Sequence, residues 1–188
     1  MATQAILLAA GSGSRFGGDK LLAQLPDGTP IGAASWRNLK SAVPACIAVV
    51  RSSDTALREM FEAEGANVIE CADAEAGMSR SLIAGLQASA DSSGWIIALG
   101  DMPYIKPVTI GKISDAIEHG ELIALPTYRG KRGHPVGLSN RLQRELLAIR
   151  GDEGAREVVK RHEKDCRLIA CDDDPGILHD IDTRGDLL

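Results

Sequence analysis

A glycine-rich segment with two cations follows the first apolar run of the chain. Residues 11–20 (GSGSRFGGDK) hold four glycines, together with Arg15 and Lys20, directly after the apolar residues 5–10. Glycines leave backbone N–H groups open to close approach by a ligand. Because backbone amides, arginine and lysine all donate hydrogen bonds to phosphate oxygens, this composition predicts a cradle for a triphosphate.

Two common phosphate-binding motifs do not fit this segment. A P-loop requires a lysine directly after its second glycine, where the chain has Asp19. A dinucleotide-binding fingerprint requires a third glycine where the chain has Phe16. The segment therefore matches neither a Walker ATPase nor an NAD-dependent enzyme. On composition alone, a plain Gly/Ser surface loop is the remaining alternative.

Acidic side chains occur at two further points where a metal site would need them. Asp101 follows the apolar residues 95–99 in the run GDMP, and Asp180 and Asp182 alternate with an isoleucine near the chain end. Carboxylates suit Mg²⁺, and on a strand Asp180 and Asp182 would face the same side. The alternatives are an aspartate that only begins a turn and, above all for residues 172–174, a solvated acidic tail.

Short apolar runs alternate with helix-like stretches along the chain. The runs cover residues 5–10, 46–50, 67–70, 95–99 and 122–125. The stretches with helical spacing of apolar residues cover residues 31–42, 55–64, 78–90 and 109–119. This alternation predicts one α/β domain over residues 1–188, a three-layer α/β/α sandwich around a mostly parallel, doubly wound (Rossmann-like) sheet. Ligands bind such folds at the carboxyl ends of the strands, where residues 11–20 and Asp101 would lie.

Composition and charge exclude several classes of protein. The formal net charge is −5 over 188 residues, whereas a general DNA or RNA binder needs a basic surface. No apolar run approaches the roughly 18 residues of a membrane span. The four cysteines lie scattered without a C-x-x-C pair. They predict free thiols in a reducing cytoplasm, and neither a zinc site nor a disulfide framework.

The first apolar run and the glycine-rich segment together resemble the signature of a known family. The pattern L-A-A-G-x-x-x-R-x-G-x-x-K is similar to that of the MobA-like NTP transferases and, within them, of the molybdenum cofactor cytidylyltransferases. The matching residues are Leu8, Ala9, Ala10, Gly11, Arg15, Gly17 and Lys20. Phe16 stands where members often have methionine. The resemblance continues through the runs GMSRSL, GDMP, RGHP, GDEGAR and DIDT, and it implies a sheet of the nucleotide-diphospho-sugar transferase type.

The resemblance implies a role in nucleotidyl transfer for each matching motif. Asp101 and Asp182 would bind Mg²⁺, although Arg184 replaces the proline that usually follows the second motif. In catalysis, Arg15 and Lys20 would neutralise charge on the leaving pyrophosphate, and Asp101 would act through the Mg²⁺ that it binds. The nucleotide would be bound by Leu8, Ala9, Ala10, Gly11, Arg15, Lys20, Gly77, Ser79 and Ser81. The last three begin a predicted helix, where an anionic ligand is favoured but where a serine is also a common N-cap.

On the acceptor side, the resemblance points to Gly133, His134 and Asp152. His134 would contact a phosphate or a pterin, although a lone histidine is as often structural. Asp152 could equally be the N-cap of a helix over residues 153–163. The basic cluster within residues 129–132 would attract an anionic acceptor, or it is ordinary solvated surface.

Together these motifs predict a magnesium-dependent nucleotidyltransferase that moves CMP from CTP to the phosphate of the molybdenum cofactor, molybdopterin. CTP is preferred over GTP because the chain has L-A-A-G where the guanylyl branch typically has L-A-G-G. The alternatives are a guanylyltransferase, a sugar-phosphate or methylerythritol-phosphate nucleotidyltransferase, and a non-catalytic protein that delivers the cofactor. An apo-molybdoenzyme would be a further partner, whereas nucleic acid and membrane are not expected.

Overall fold

A mixed sheet forms the centre of the structure. The computed structural model describes residues 2–11, 16, 18–151 and 154–187. Within these residues the strands are β1 (Gln4–Leu8), β2 (Cys46–Arg51), β3 (Asn67–Cys71), β4 (Gly94–Leu99), β5 (Ile123–Tyr128), β6 (Lys131–Arg132), β7 (Val136–Ser139) and β8 (Cys166–Ala170). The α-helices are α1 (Ile31–Ala42), α2 (Thr55–Ala63), α3 (Met78–Ala88), α4 (Pro107–Glu118), α5 (Gln143–Leu147) and α6 (Arg156–Arg161). Single turns of 3-10 helix include Lys20–Leu22, Pro175–Leu178 and Arg184–Asp186.

The sheet is parallel through its first four strands and mixed beyond them. The strand order is β3-β2-β1-β4-β7-β5-β6, with β8 paired to β5. β1 runs parallel to both of its neighbours, so that Leu8 lies opposite Val49 of β2 and Leu99 of β4. β7 runs antiparallel to both β4 and β5, whereas β8 is parallel to β5. The carboxyl ends of β1, β2, β3 and β4 therefore meet at one edge of the sheet.

Helices cover both faces of the sheet. Alternate side chains of a strand point to opposite faces, and β1 shows this clearly. Leu7 belongs to an apolar cluster with side chains of α1, α2 and α4. Ile6 belongs to a second cluster, with side chains of α3, α5 and α6. This is the three-layer α/β/α arrangement that the sequence predicts.

The four helices predicted with helical spacing are all present, and their ends differ from the prediction by at most two residues. Asp54 caps α2, because its carboxylate accepts a hydrogen bond of 3.1 Å from the N–H of Leu57. Where the sequence predicts a helix over residues 153–163, the structure has α6 over Arg156–Arg161, and residue 153 lies outside the described residues. No helix in the described part of the chain has the length and apolarity that a bilayer span requires.

The sequence did not predict β7 or β8, and the structure explains why each strand was missed. β7 is only four residues long and contains Gly137. A side chain cannot be placed at Gly137, because its Cβ would lie 2.7 Å from Cγ2 of Ile113 in α4. β8 lies beside β5 alone and leaves most of its residues exposed. Neither strand therefore shows the continuous apolar run that marks a buried strand.

Residues 172–174 correct another expectation. Asp172 and Asp173 are exposed, as a solvated acidic tail would be, but Asp174 is fully buried. Its Oδ2 accepts hydrogen bonds from the N–H of Lys106 at 2.9 Å and from Oγ1 of Thr109 at 2.6 Å. Asp174 therefore serves the first turn of α4, and the expectation of a solvated tail is wrong at this residue.

Candidate active site

A cleft of about 830 Å³ opens at the edge of the sheet where β1, β2 and β4 end. Its volume is in the range of small-molecule sites. Its walls come from the ends of these strands, from the turn Lys20–Leu22 and from the start of α3. Among the predicted site residues, those that line it are Leu8, Ala9, Ala10, Gly11, Lys20, Gly77, Ser81 and Asp101.

Lys20 lies between two carboxylates that come from distant parts of the sequence. Its Nζ is 2.7 Å from Oδ2 of Asp101 and 3.4 Å from Oδ1 of Asp182. The Lys20 side chain is only 12% exposed, and those of Asp101 and Asp182 are 24% and 40% exposed. Partial burial lowers the effective dielectric constant, so each of these charges acts on its neighbours more strongly than in bulk water.

The C-terminal segment reaches this point through a turn and not through a strand. The expectation that Asp180 and Asp182 lie on a strand is wrong. Instead, the N–H of Ile181 donates a single hydrogen bond of 2.9 Å to the carbonyl of Asp101. Beyond it, the Asp186 carboxylate accepts from the N–H groups of Asp182 at 3.1 Å and Thr183 at 2.6 Å. These bonds hold the Asp182 backbone beside the loop that follows β4.

The two carboxylates fit a divalent cation. Oxygen atoms of Asp101 and Asp182 converge on one ammonium, which shows that they can share a single positive charge. The described residues contain no group of three or more His, Cys, Asp or Glu side chains suited to a metal. A pair of carboxylates is nevertheless the usual protein contribution to Mg²⁺ in nucleotide enzymes, because waters and substrate phosphates complete the coordination.

The start of α3 forms the opposite wall of the cleft. Its N-cap is Gly77, with φ of 117°, and no side chain caps the helix. Ser81 lines the cleft, whereas Ser79 does not: Ser79 is buried, and its N–H donates to the carbonyl of Gly151 at 3.2 Å. The alternative of an N-cap serine is therefore not what the structure has, and the helix N-terminus faces the cleft through a glycine.

The sequence did not single out Arg51, which also lines the cleft. Arg51 is the last residue of β2, and its Nε donates a hydrogen bond of 2.7 Å to the carbonyl oxygen of Ala10. An arginine at the end of an apolar run has no motif to mark it. Its position at the carboxyl end of a strand next to β1 is the signal that would have found it.

Gly133 and His134 lie away from the cleft lining. A Cβ at Gly133 would collide with the carbonyl oxygen of Ile177, so close backbone packing requires this glycine. Nδ1 of His134 is buried and has no hydrogen-bond partner among the described residues. Burial lowers the pKa of His134; Asp101 and Asp180 oppose that shift, and Arg156 adds to it. The imidazole is therefore neutral near pH 7 and lies within electrostatic range of the Asp101 carboxylate.

Two predicted site residues, Arg15 and Asp152, lie outside the described residues. Their assignment to catalysis and to acceptor binding stays a prediction.

Comparison with known proteins gives consistent matches over most of the chain. A sequence model of the MobA-like NTP transferase domain matches residues 5–166. Purine catabolism protein PucB of Bacillus subtilis (strain 168) is 27% identical over 188 residues, covering 95% of this chain and 90% of the relative. Nicotine blue oxidoreductase of Paenarthrobacter nicotinovorans is also 27% identical, over 187 residues, covering 95% of this chain and 91% of the relative.

A solved structure repeats the fold. The crystal structure of Rv0371c from Mycobacterium tuberculosis H37Rv in complex with manganese superposes with a TM-score of 0.82 at 26% identity. The superposition covers 99% of this chain and 96% of the other. The relative therefore has the same arrangement of sheet and helices throughout, and it binds a divalent cation.

Proposed function

The chain is a nucleotidyltransferase of the MobA-like NTP transferase family, and we propose that it transfers CMP from CTP to the phosphate of a molybdopterin-type acceptor. In this reaction an acceptor phosphate oxygen attacks the α-phosphorus of CTP. The bond from the α-phosphorus to the bridging oxygen breaks, and pyrophosphate leaves with that electron pair. The product is a dinucleotide in which a new phosphoanhydride joins CMP to the acceptor.

One observation carries the proposal: Lys20, Asp101 and Asp182 converge beside a cleft of about 830 Å³. The cleft is large enough for a nucleotide. A cation with two carboxylates at its edge is suited to a reaction in which negative charge moves between phosphates. This arrangement brings together one residue from each of three separate sequence motifs, which is difficult to explain as ordinary surface charge.

The proposed reaction needs positioning and charge neutralisation, and it does not need a general base. A phosphate oxygen is already anionic at neutral pH, so no proton has to be removed before it attacks. The Lys20 ammonium would turn from the carboxylates to the phosphate oxygens of the bound nucleotide, where it would stabilise charge on the departing pyrophosphate. Loss of one such contact typically costs about 10²–10³ in kcat.

The proposal includes Mg²⁺ as the cofactor, bound through Asp101 and Asp182. Bound there, the cation would supply positive charge to the reacting phosphates. The manganese complex of Rv0371c supports a divalent cation in this fold. In this chain, the two carboxylates would orient the nucleotide through that shared charge, while Lys20 binds it directly.

The acceptor would enter from the side where His134 lies. Its buried Nδ1 lacks a partner among the described residues, and such an atom is costly unless a ligand or water pairs with it. A neutral imidazole can donate to or accept from a pterin or a phosphate. This supports His134 as an acceptor contact, whereas Gly133 has a packing reason of its own.

The preference for CTP rests on a smaller difference. Ala10 lines the cleft, and its methyl group narrows the space for a purine relative to the glycine of the L-A-G-G pattern. One methyl group discriminates between a pyrimidine and a purine by about 1–3 kcal/mol at most.

All four cysteines are free thiols, which fits a reducing compartment. We therefore place the proposed reaction in the cytoplasm.

Pyrophosphate release tests the proposal directly. The protein is incubated with Mg²⁺, molybdenum-loaded molybdopterin and each of CTP, GTP, ATP and UTP in turn. We expect release with CTP, and a loss of about 10²-fold or more in Asp101→Ala. Asp115→Ala is the matched control, because Asp115 is an exposed aspartate on α4, and it should retain full activity.

Each of the other possible results overturns a different part of the proposed function. Release with GTP alone would overturn the choice of base and keep the mechanism. Release only with a sugar phosphate or methylerythritol phosphate as acceptor would overturn the choice of acceptor. Nucleotide binding without release under any of these conditions would contradict catalysis and support a delivery protein.

A further inference from the structure

Arg51 lines the cleft with hydrogen-bond donors that no described residue uses. Its guanidinium is half-buried and is anchored at one nitrogen, since Nε donates to the carbonyl of Ala10 at 2.7 Å. The two terminal nitrogens form no ion pair or hydrogen bond with the described residues. Because the planar guanidinium is fixed through Nε, the direction of the remaining N–H donors is fixed as well.

The position of Arg51 separates it from the reacting phosphates. Asp101 follows β4, and Arg51 ends β2, with β1 between them. Two strand spacings amount to about 10 Å. A nucleotide whose α-phosphate lies beside Lys20 and Asp101 would therefore extend its base towards Arg51, since both ends belong to the same cleft.

We propose that Arg51 selects the base of the nucleotide by donating two parallel hydrogen bonds to two neighbouring acceptors on its edge. Cytosine carries such a pair at O2 and N3, and guanine carries one at O6 and N7. In adenine, the acceptors N1 and N7 each lie next to the N6 amino group, which is a donor. In uracil, the N3–H donor lies between the two carbonyl acceptors O2 and O4. The inference rests on the proposed nucleotidyl transfer, and it adds the residue that discriminates among nucleotides.

The chemistry of arginine favours this role over a general charge effect. Bidentate pairing of a guanidinium with two acceptors discriminates between bases by roughly 5- to 150-fold per contact. A lysine at the same place would give one charge without the planar fork. The single methyl of Ala10 acts on the size of the base, whereas Arg51 acts on the pattern of its acceptors.

Nucleotide affinities without acceptor test the inference independently of turnover. Calorimetry measures the binding of CTP, UTP, GTP and ATP with Mg²⁺ to the wild-type chain, Arg51→Met and Arg51→Lys. We expect the wild type to bind CTP, or GTP, roughly 5- to 150-fold more tightly than UTP and ATP. Arg51→Met should no longer distinguish CTP from UTP or GTP from ATP, and it should keep only the preference between pyrimidine and purine that Ala10 sets. Arg58→Met is the matched control. Arg58 forms an ion pair of 2.8 Å with Glu70, and neither residue lines the cleft.

The outcomes separate this inference from the proposed function. A wild-type preference for GTP that disappears in Arg51→Met would support Arg51 as the selecting residue and overturn CTP as the substrate. An equal weakening of all four nucleotides in Arg51→Met would overturn the inference and make Arg51 a phosphate contact. If Arg51→Met fails to fold, a preference unchanged in Arg51→Lys would overturn it too, since lysine cannot make the paired contact.

Discussion

At the scale of single residues, the Lys20 ammonium holds the position at which two carboxylates share a positive charge. Asp101 and Asp182 are close enough to repel each other, and Lys20 offsets that repulsion at 2.7 Å and 3.4 Å. A divalent cation that binds the same carboxylates competes with this ammonium. Nucleotide phosphates would give Lys20 another anionic partner, so cation and nucleotide should favour each other's binding.

Substitution of Lys20 tests this competition. Lys20→Gln should bind Mn²⁺ roughly 5-fold or more tightly in the absence of nucleotide, because a repulsion of about 1 kcal/mol is lost even at the dielectric constant of water. Its transferase activity should fall by about 10²–10³. Electron paramagnetic resonance of free Mn²⁺ measures the affinity without any turnover.

Lys106→Gln provides the control, because Lys106 pairs with the exposed Asp173 and neither residue lines the cleft. Its Mn²⁺ affinity should equal that of the wild type. Unchanged or weaker Mn²⁺ binding in Lys20→Gln would contradict a competition between ammonium and metal.

At this scale the sequence could single out candidate site residues only where they belong to contiguous motifs. Lys20, Asp101 and Asp182 belong to three such motifs and meet in space. Arg51 belongs to none, because what distinguishes it is a contact with the neighbouring strand, whose Ala10 carbonyl fixes its guanidinium. A residue whose function comes from a tertiary contact leaves little trace in one sequence.

At the scale of elements, α4 depends on a carboxylate far from it in sequence. Lys106 is the N-cap of α4, and its side chain forms no capping hydrogen bond. The Asp174 carboxylate caps the helix instead, because it accepts hydrogen bonds from the Lys106 N–H and from Thr109 Oγ1. The Oδ1 of Asp174 is buried without a partner among the described residues, so the cost of burying this carboxylate offsets part of the gain.

Removal of this carboxylate should destabilise the protein without affecting the cleft. We expect Asp174→Ala to lower the free energy of unfolding by about 1–3 kcal/mol, because the Lys106 N–H and the buried Thr109 hydroxyl lose their acceptor. Urea denaturation measures the change. Asp173→Ala, at the exposed neighbouring aspartate, should change it by no more than about 0.5 kcal/mol. Equal effects of the two substitutions would show that burial of Asp174 adds nothing.

Elements with a local signal were predicted well, and elements with a tertiary origin were not. The helix pattern of residues 31–42 coincides with α1, since apolar spacing alone defines its buried face. β7 contains a glycine that makes room for α4, and β8 leaves most of its residues exposed beside β5. The role of Asp174 was likewise hidden, because two exposed aspartates precede it.

At the scale of the whole molecule, the candidate site brings together residues that lie far apart in the sequence. Lys20 follows the first strand, Asp101 follows the fourth, and Asp182 lies six residues before the last. Ile181 is fully buried in a small cluster with Phe16 and Ile31. The C-terminal segment is thus attached to residues near the N-terminus by apolar packing, and to Asp101 by one backbone hydrogen bond.

This attachment predicts that a purely apolar substitution weakens cation binding at the proposed metal site. Ile181→Ala should lower the free energy of unfolding by about 2–5 kcal/mol, as expected for a buried isoleucine. In the fraction that remains folded, Mn²⁺ affinity should fall severalfold, because Asp182 loses the neighbour that holds it beside Asp101. Leu178→Ala is the matched control, since Leu178 is 36% exposed and should alter neither quantity appreciably. Destabilisation with unchanged Mn²⁺ affinity would show that the backbone bond to Asp101 and the turn at Asp186 position Asp182 without the help of the apolar cluster.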